Sequence, residues 1–86
     1  MAQEQTPKQI CSKMHTIAKN IMTDRQNQMA MPDVMETRGV NKLTENLILG
    51  AYRKPLFSSE SYKQKEIGKY ANEAYVNCMT ILLGGK

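Results

Sequence analysis

Residues 60–82 read ESYKQKEIGKYANEAYVNCMTIL, and the spacing of the apolar side chains in that stretch decides the fold. Tyr62, Ile67, Tyr70, Ala71, Ala74, Tyr75, Cys78, Ile81 and Leu82 recur mostly at steps of three and four, which places them on one face of a helix. Ser58 or Ser59 supplies a cap, Glu60 falls in the first turn where a carboxylate meets the positive end of the helix, and Gly84-Gly85 marks the stop. The pattern predicts a helix over about 60–82.

The other long helix lies at the opposite end of the chain. Thr6-Pro7-Lys8-Gln9 offers a capping threonine, a proline at the first helical position and a glutamine three residues after the cap. Ile10, Cys11, Met14, Ile17, Ala18, Ile21 and Met22 follow as a single stripe. This predicts a helix over about 7–28, stopped by Met29-Ala30-Met31-Pro32 because a residue before proline is pushed out of the helical region. Asp33 with Glu36 three residues later predicts a capped short helix that ends before Gly39. Asn41 caps a third main segment whose stripe is Leu43, Leu47, Ile48, Ala51 and Tyr52, with Gly50 as a cost and Pro55 as the end. No stretch alternates as a strand does. The expectation is an all-α bundle of about four helices, one domain over 6–84 after a disordered start at 1–5.

The two cysteines can now be placed. Each long helix has roughly 22 residues and spans about 33 Å at 1.5 Å per residue. Cys11 lies one turn into the first and Cys78 one turn from the end of the last, both on the apolar stripes. Antiparallel packing brings the sulfurs level, and a disulfide between Cys11 and Cys78 follows. Closing so long a loop removes denatured-state entropy worth roughly 4 kcal/mol, comparable to the whole stability of so small a core. Disulfides persist in oxidising compartments, so a periplasmic site is expected, and the polar residues from Ala2 to Gln5 read like a mature start from which a signal peptide has been removed. The competing reading is two buried free thiols. Cys11 and His15 share a helix face, but a metal site needs two further ligands and a nucleophile needs an oxyanion donor, so neither a metal nor any other cofactor is expected.

With 86 residues, 41% apolar and 23% charged, the chain is a single ordinary domain and not a disordered one. Its net charge of +4 comes from scattered lysines and arginines, which reads as a solvated surface and not as a nucleic-acid footprint. No apolar run reaches the length of a membrane span. The sequence holds no P-loop, GxGxxG, HExxH or CxxC and no carboxylate pair on an apolar face, so it is not read as an enzyme and binding is the expected work. Two segments could meet a partner. One is the methionine-rich turn, with Met29, Met31, Pro32, Asp33 and Met35, since methionine adapts to varied surfaces. The other is the loop at Lys54–Ser59, with Phe57 as an aromatic anchor beside Ser58. Both could instead fold inward as core plugs.

Cys11, Ile21-Met22, Arg25-Gln26, Leu47-Ile48, Ala51-Tyr52, Pro55 and Cys78 after Tyr75 form a frame that resembles small exported proteobacterial and phage-encoded two-cysteine helical proteins. More distantly it is similar to the Rap/Tai-type immunity proteins of type VI secretion. That resemblance implies an all-helical, disulfide-bearing periplasmic protein that blocks a peptidoglycan amidase by placing a loop in its cleft. The expected partner is therefore a protein, a cell-wall amidase first, with a homodimer left open and neither nucleic acid nor membrane expected. The alternative role is a small periplasmic chaperone or adaptor, phage-encoded or not.

Overall fold

Among the described residues four helices follow one another, α1 (Pro7–Gln26), α2 (Met31–Arg38), α3 (Lys42–Tyr52) and α4 (Glu60–Leu82). The computed structural model describes residues 5–84. The expected disorder at 1–5 therefore lies, for residues 1–4, outside the described residues, as does Gly85. Among the described residues no strand occurs. α1 and α4 lie side by side along most of their length and form the body of the molecule. They run antiparallel, since Cys11 near the start of α1 is bonded to Cys78 near the end of α4, with Cα atoms 5.5 Å apart. At the other end, Gln26 in the last turn of α1 meets the chain just before α4. α3 packs on α1 and α2, and its backbone scarcely approaches α4.

The helix starts follow their caps. Thr6 and Gln9 complete a reciprocal capping box at α1, with Pro7 at the first position. Asn41 and Thr44 do the same at α3, where the Thr44 hydroxyl accepts from the backbone N–H groups of Val40 and Asn41. Ser59 is the residue before α4, but its hydroxyl pairs with that of Ser61 and makes no capping bond.

Two boundaries differ from expectation. α1 ends at Gln26, not 28, because Gln28 takes a left-handed φ of 66°. The Met29 N–H then donates to the Asp24 carbonyl and the Gln28 N–H to that of Arg25, which closes the helix as a Schellman turn with glutamine in the position glycine usually holds. α2 starts at Met31, not Asp33, and the Asp33–Glu36 capping box does not form. Proline in the first turn loses an N–H that has no helical partner anyway, so the helix begins ahead of Pro32 and leaves Asp33 inside its first turn.

The main core cluster is built from Ala18, Ile21 and Met22 of α1, Val34 of α2, Ile48 and Ala51 of α3, and Ile67, Tyr70 and Ala74 of α4, and Cys11 and Ala71 are buried outside it. It occupies the middle of the bundle. Several residues of the apolar stripes fall outside it: Leu43 is 53% exposed and Ile81 76%.

Candidate functional site

Three consecutive residues at the end of α1 fasten two segments, the end of α2 and the loop that precedes α4. Asp24, buried, forms an ion pair with Arg38 at the end of α2. The Arg25 guanidinium donates to the Lys54 carbonyl at 3.1 Å and lies 5.2 Å from the centre of the Tyr52 ring. Gln26 is wholly buried, donates to the Pro55 carbonyl at 2.9 Å and accepts from the Phe57 N–H at 3.0 Å. The Tyr52 hydroxyl donates to the Met29 carbonyl. Burial, and then the carboxylate of Asp24, hold the Tyr52 phenol above its ordinary pKa, so it stays a donor.

The two segments singled out from the sequence therefore meet at one end of the bundle, tied to the same helix terminus. Met29, Pro32 and Asp33 face solvent, whereas Met31 and Met35 are half-buried and pack against the core. In the loop, Leu56 and Ser58 are exposed and Phe57 is half-buried. The Phe57 ring lies 5.8 Å from that of Tyr62, which is 56% exposed and carries the Lys65 ammonium 5.6 Å from its centre. Tyr62 was placed on the core stripe of α4, and the structure turns it outward to complete an aromatic pair. Arg25-Gln26 belongs to the frame that carries the resemblance, but nothing in the sequence marks Asp24-Arg25-Gln26 as an anchor, since polar residues at the end of a helix ordinarily read as surface.

No family model, no curated protein and no solved structure matches this chain. The chemistry must therefore be judged from the residues. Both cysteine sulfurs are engaged in the disulfide, so neither can serve His15 as a metal-binding or nucleophilic partner. The His15 ring instead meets that of Tyr75 edge-on at 6.4 Å. Among the described residues no three of His, Cys, Asp and Glu converge as a metal site requires, and no helix is long and apolar enough to cross a membrane.

A second feature lies at the disulfide end. α1, α3 and α4 leave a groove of about 460 Å³ there. Ile10 and Met14 of α1 line it, with Leu43 and Leu47 of α3 on one side. Ala74, Cys78, Ile81 and Leu82 of α4 complete it, and Asn77 is the polar residue of the lining. This groove was not foreseen, although the stripes that form it were. Its signal was that the stripe of the 23-residue α4 extends further than the 8-residue α2 and 11-residue α3 can cover.

Proposed function

We propose that this chain is a periplasmic inhibitor that neutralises a peptidoglycan hydrolase, an amidase first, by protein–protein contact through the loop that precedes α4. The observation that carries the reading is the Gln26 clamp on Pro55 and Phe57, which holds an exposed apolar loop in one shape. A loop fixed before binding loses little further entropy when a partner orders it. Aromatic side chains at the centre of a contact supply most of its energy, and Phe57 with Tyr62 provides such a pair. The cystine supports the compartment, because such bonds persist where the surroundings are oxidising. The likeness to the two-cysteine immunity proteins supports the choice of partner.

The chaperone reading requires an adaptable, exposed methionine surface. Of the three methionines around Pro32, only Met29 is exposed, at 38%, which favours a specific contact over a client-holding one.

The test is titration of the oxidised protein into a panel of peptidoglycan amidases, read by calorimetry and by release of labelled cell-wall fragments. We expect binding at about micromolar affinity or tighter with loss of fragment release, and weakening of at least about 30-fold in Phe57→Ala or Tyr62→Ala. Absence of binding across the panel, or full binding by both variants, overturns the reading.

A further inference from the structure

We propose that Cys78 is a thiol-exchange site: a small uncharged thiol enters the groove at the disulfide end, forms a mixed disulfide with Cys78 and releases Cys11. The proposal does not depend on the inhibitor reading, which concerns the opposite end of the molecule.

The first argument is access. A thiolate must reach the sulfur that it attacks. Cys11 has no exposed surface, whereas Cys78 is half-buried and lines the groove. The two halves of the one bond are thus unequal, and the folded protein offers only Cys78 to an incoming thiol.

The second argument concerns the sulfur that leaves. Exchange is faster when the departing sulfur is stabilised as a thiolate. Lys8 lies three residues before Cys11 and His15 four residues after it, so an ammonium and an imidazole share its helix face. Around Cys78, no residue from 74 to 82 carries a charge. Burial works against a thiolate at Cys11, and the two neighbours offset part of that cost. Access and leaving-group chemistry therefore select the same direction.

The third argument is the nature of the entrant. The groove of about 460 Å³ has room for the remainder of a small thiol, and no charged residue lines it. A peptide thiol such as glutathione would bring carboxylates against an apolar lining that offers them no cation.

In the first step the thiolate forms a bond to Cys78 Sγ, the bond from Cys78 to Cys11 breaks, and its electron pair leaves on Cys11 Sγ, which takes a proton from water. A second thiolate attacks the outer sulfur of the adduct and frees the Cys78 thiolate, which is protonated in turn. Two small thiols are thereby oxidised to their disulfide, and the cystine is reduced by two electrons to two thiols.

The test exposes the oxidised protein briefly to 2-mercaptoethanol at about pH 8, quenches in acid, blocks free thiols with N-ethylmaleimide and locates the adduct by peptide mass spectrometry. We expect at least about tenfold more adduct on Cys78 than on Cys11. In guanidinium, where both sulfurs are open, the preference should fall to about threefold or less. Two rates serve as a second readout that needs no trapped adduct. Loss of the cystine should proceed equally fast in urea too dilute to unfold the protein. Glutathione should lag further behind 2-mercaptoethanol on the folded protein than on the unfolded chain. Equal labelling, adduct mainly on Cys11, or a preference that survives guanidinium overturns the proposal. So does a folded protein that 2-mercaptoethanol leaves oxidised, or glutathione that keeps pace. A rate that rises about fivefold per molar urea also overturns it, since the thiol would then reach only the unfolded chain.

Discussion

Gln26 shows what one buried amide can hold. Its side chain is entirely out of solvent, yet it is polar and sits where the α1 stripe would accept leucine. An amide carries a donor and an acceptor at once. Here the donor meets the Pro55 carbonyl and the acceptor meets the Phe57 N–H, so one side chain satisfies two backbone groups of a loop that makes no ladder of its own. Truncation removes both partners and leaves these partly buried groups to find water or move. Gln26→Ala is expected to cost about 2–3 kcal/mol and to lower the melting temperature by about 10–20 °C for a domain this small. Thermal unfolding followed by circular dichroism measures it. A fall of less than about 4 °C would mean that the loop is held by something else.

Among the elements, the contact of α3 with α4 depends on a pair that looks unfavourable when α3 is considered alone. Gly50 in mid-helix weakens α3 by about 1 kcal/mol relative to alanine. A methyl group there, however, would stand 2.6 Å from the Tyr70 hydroxyl, which is held in place by donating to the Leu47 carbonyl at 2.6 Å. The glycine makes room for a side chain that hydrogen-bonds across two helices whose backbones scarcely meet. Gly50→Ala should therefore destabilise the wild type. In a Tyr70→Phe background the nearest ring carbon is 3.6 Å away, and the same change should stabilise by up to about 1 kcal/mol. A double-mutant cycle in urea with the same sign in both backgrounds would refute the pairing. The bridge also sets an alkaline limit. Burial, and then the nearby Glu73 carboxylate, raise the Tyr70 pKa above its ordinary 10.0. Its contribution is thus complete below pH 10.0 and is lost as pH rises through the raised value. The stability gap between wild type and Tyr70→Phe should be level up to pH 10 and narrow above it.

The same elements show how far the sequence could be read. The caps at Thr6 and Asn41 were legible because they satisfy helix-end donors locally. So was the cysteine pairing, because register along two antiparallel helices is simple arithmetic. The stop at Gln28 was not, since nothing about glutamine announces a left-handed turn. Gly50 was legible only as a cost, because its reason lies on another helix. The stripes of α3 and α4 correctly marked apolar faces, but periodicity does not say whether a face meets a neighbour. Leu43, Tyr62 and Ile81 all lie on apolar stripes, yet all three are exposed.

The whole molecule is 44 Å long and 24–26 Å across, and its two ends are fastened differently. One end has the ion pair of Asp24 with Arg38 and the clamps of Arg25 and Gln26. The other end has the groove, where apolar side chains on three helices face solvent, and there the main tie between α1 and α4 is the bond from Cys11 to Cys78. Apolar burial is incomplete where the groove opens, with Leu43 53% and Ile81 76% exposed, and the cystine supplies a covalent tie at that end. Breaking it restores denatured-state freedom to a loop of 67 residues, worth about 4 kcal/mol in the chain-entropy model, against a total of only about 3–5 kcal/mol from a core this size. The double variant Cys11→Ser with Cys78→Ser should therefore lose about half of its stability and keep only the roughly 3–5 kcal/mol that the core supplies. It should open from the groove end. Hydrogen exchange should then show amide protection lost first at residues 10–14 and 78–82, while 18–26 and 66–74 retain theirs. A loss of less than about 1 kcal/mol, or fraying that begins at the Gln26 end, would contradict this division of labour between covalent and noncovalent ties.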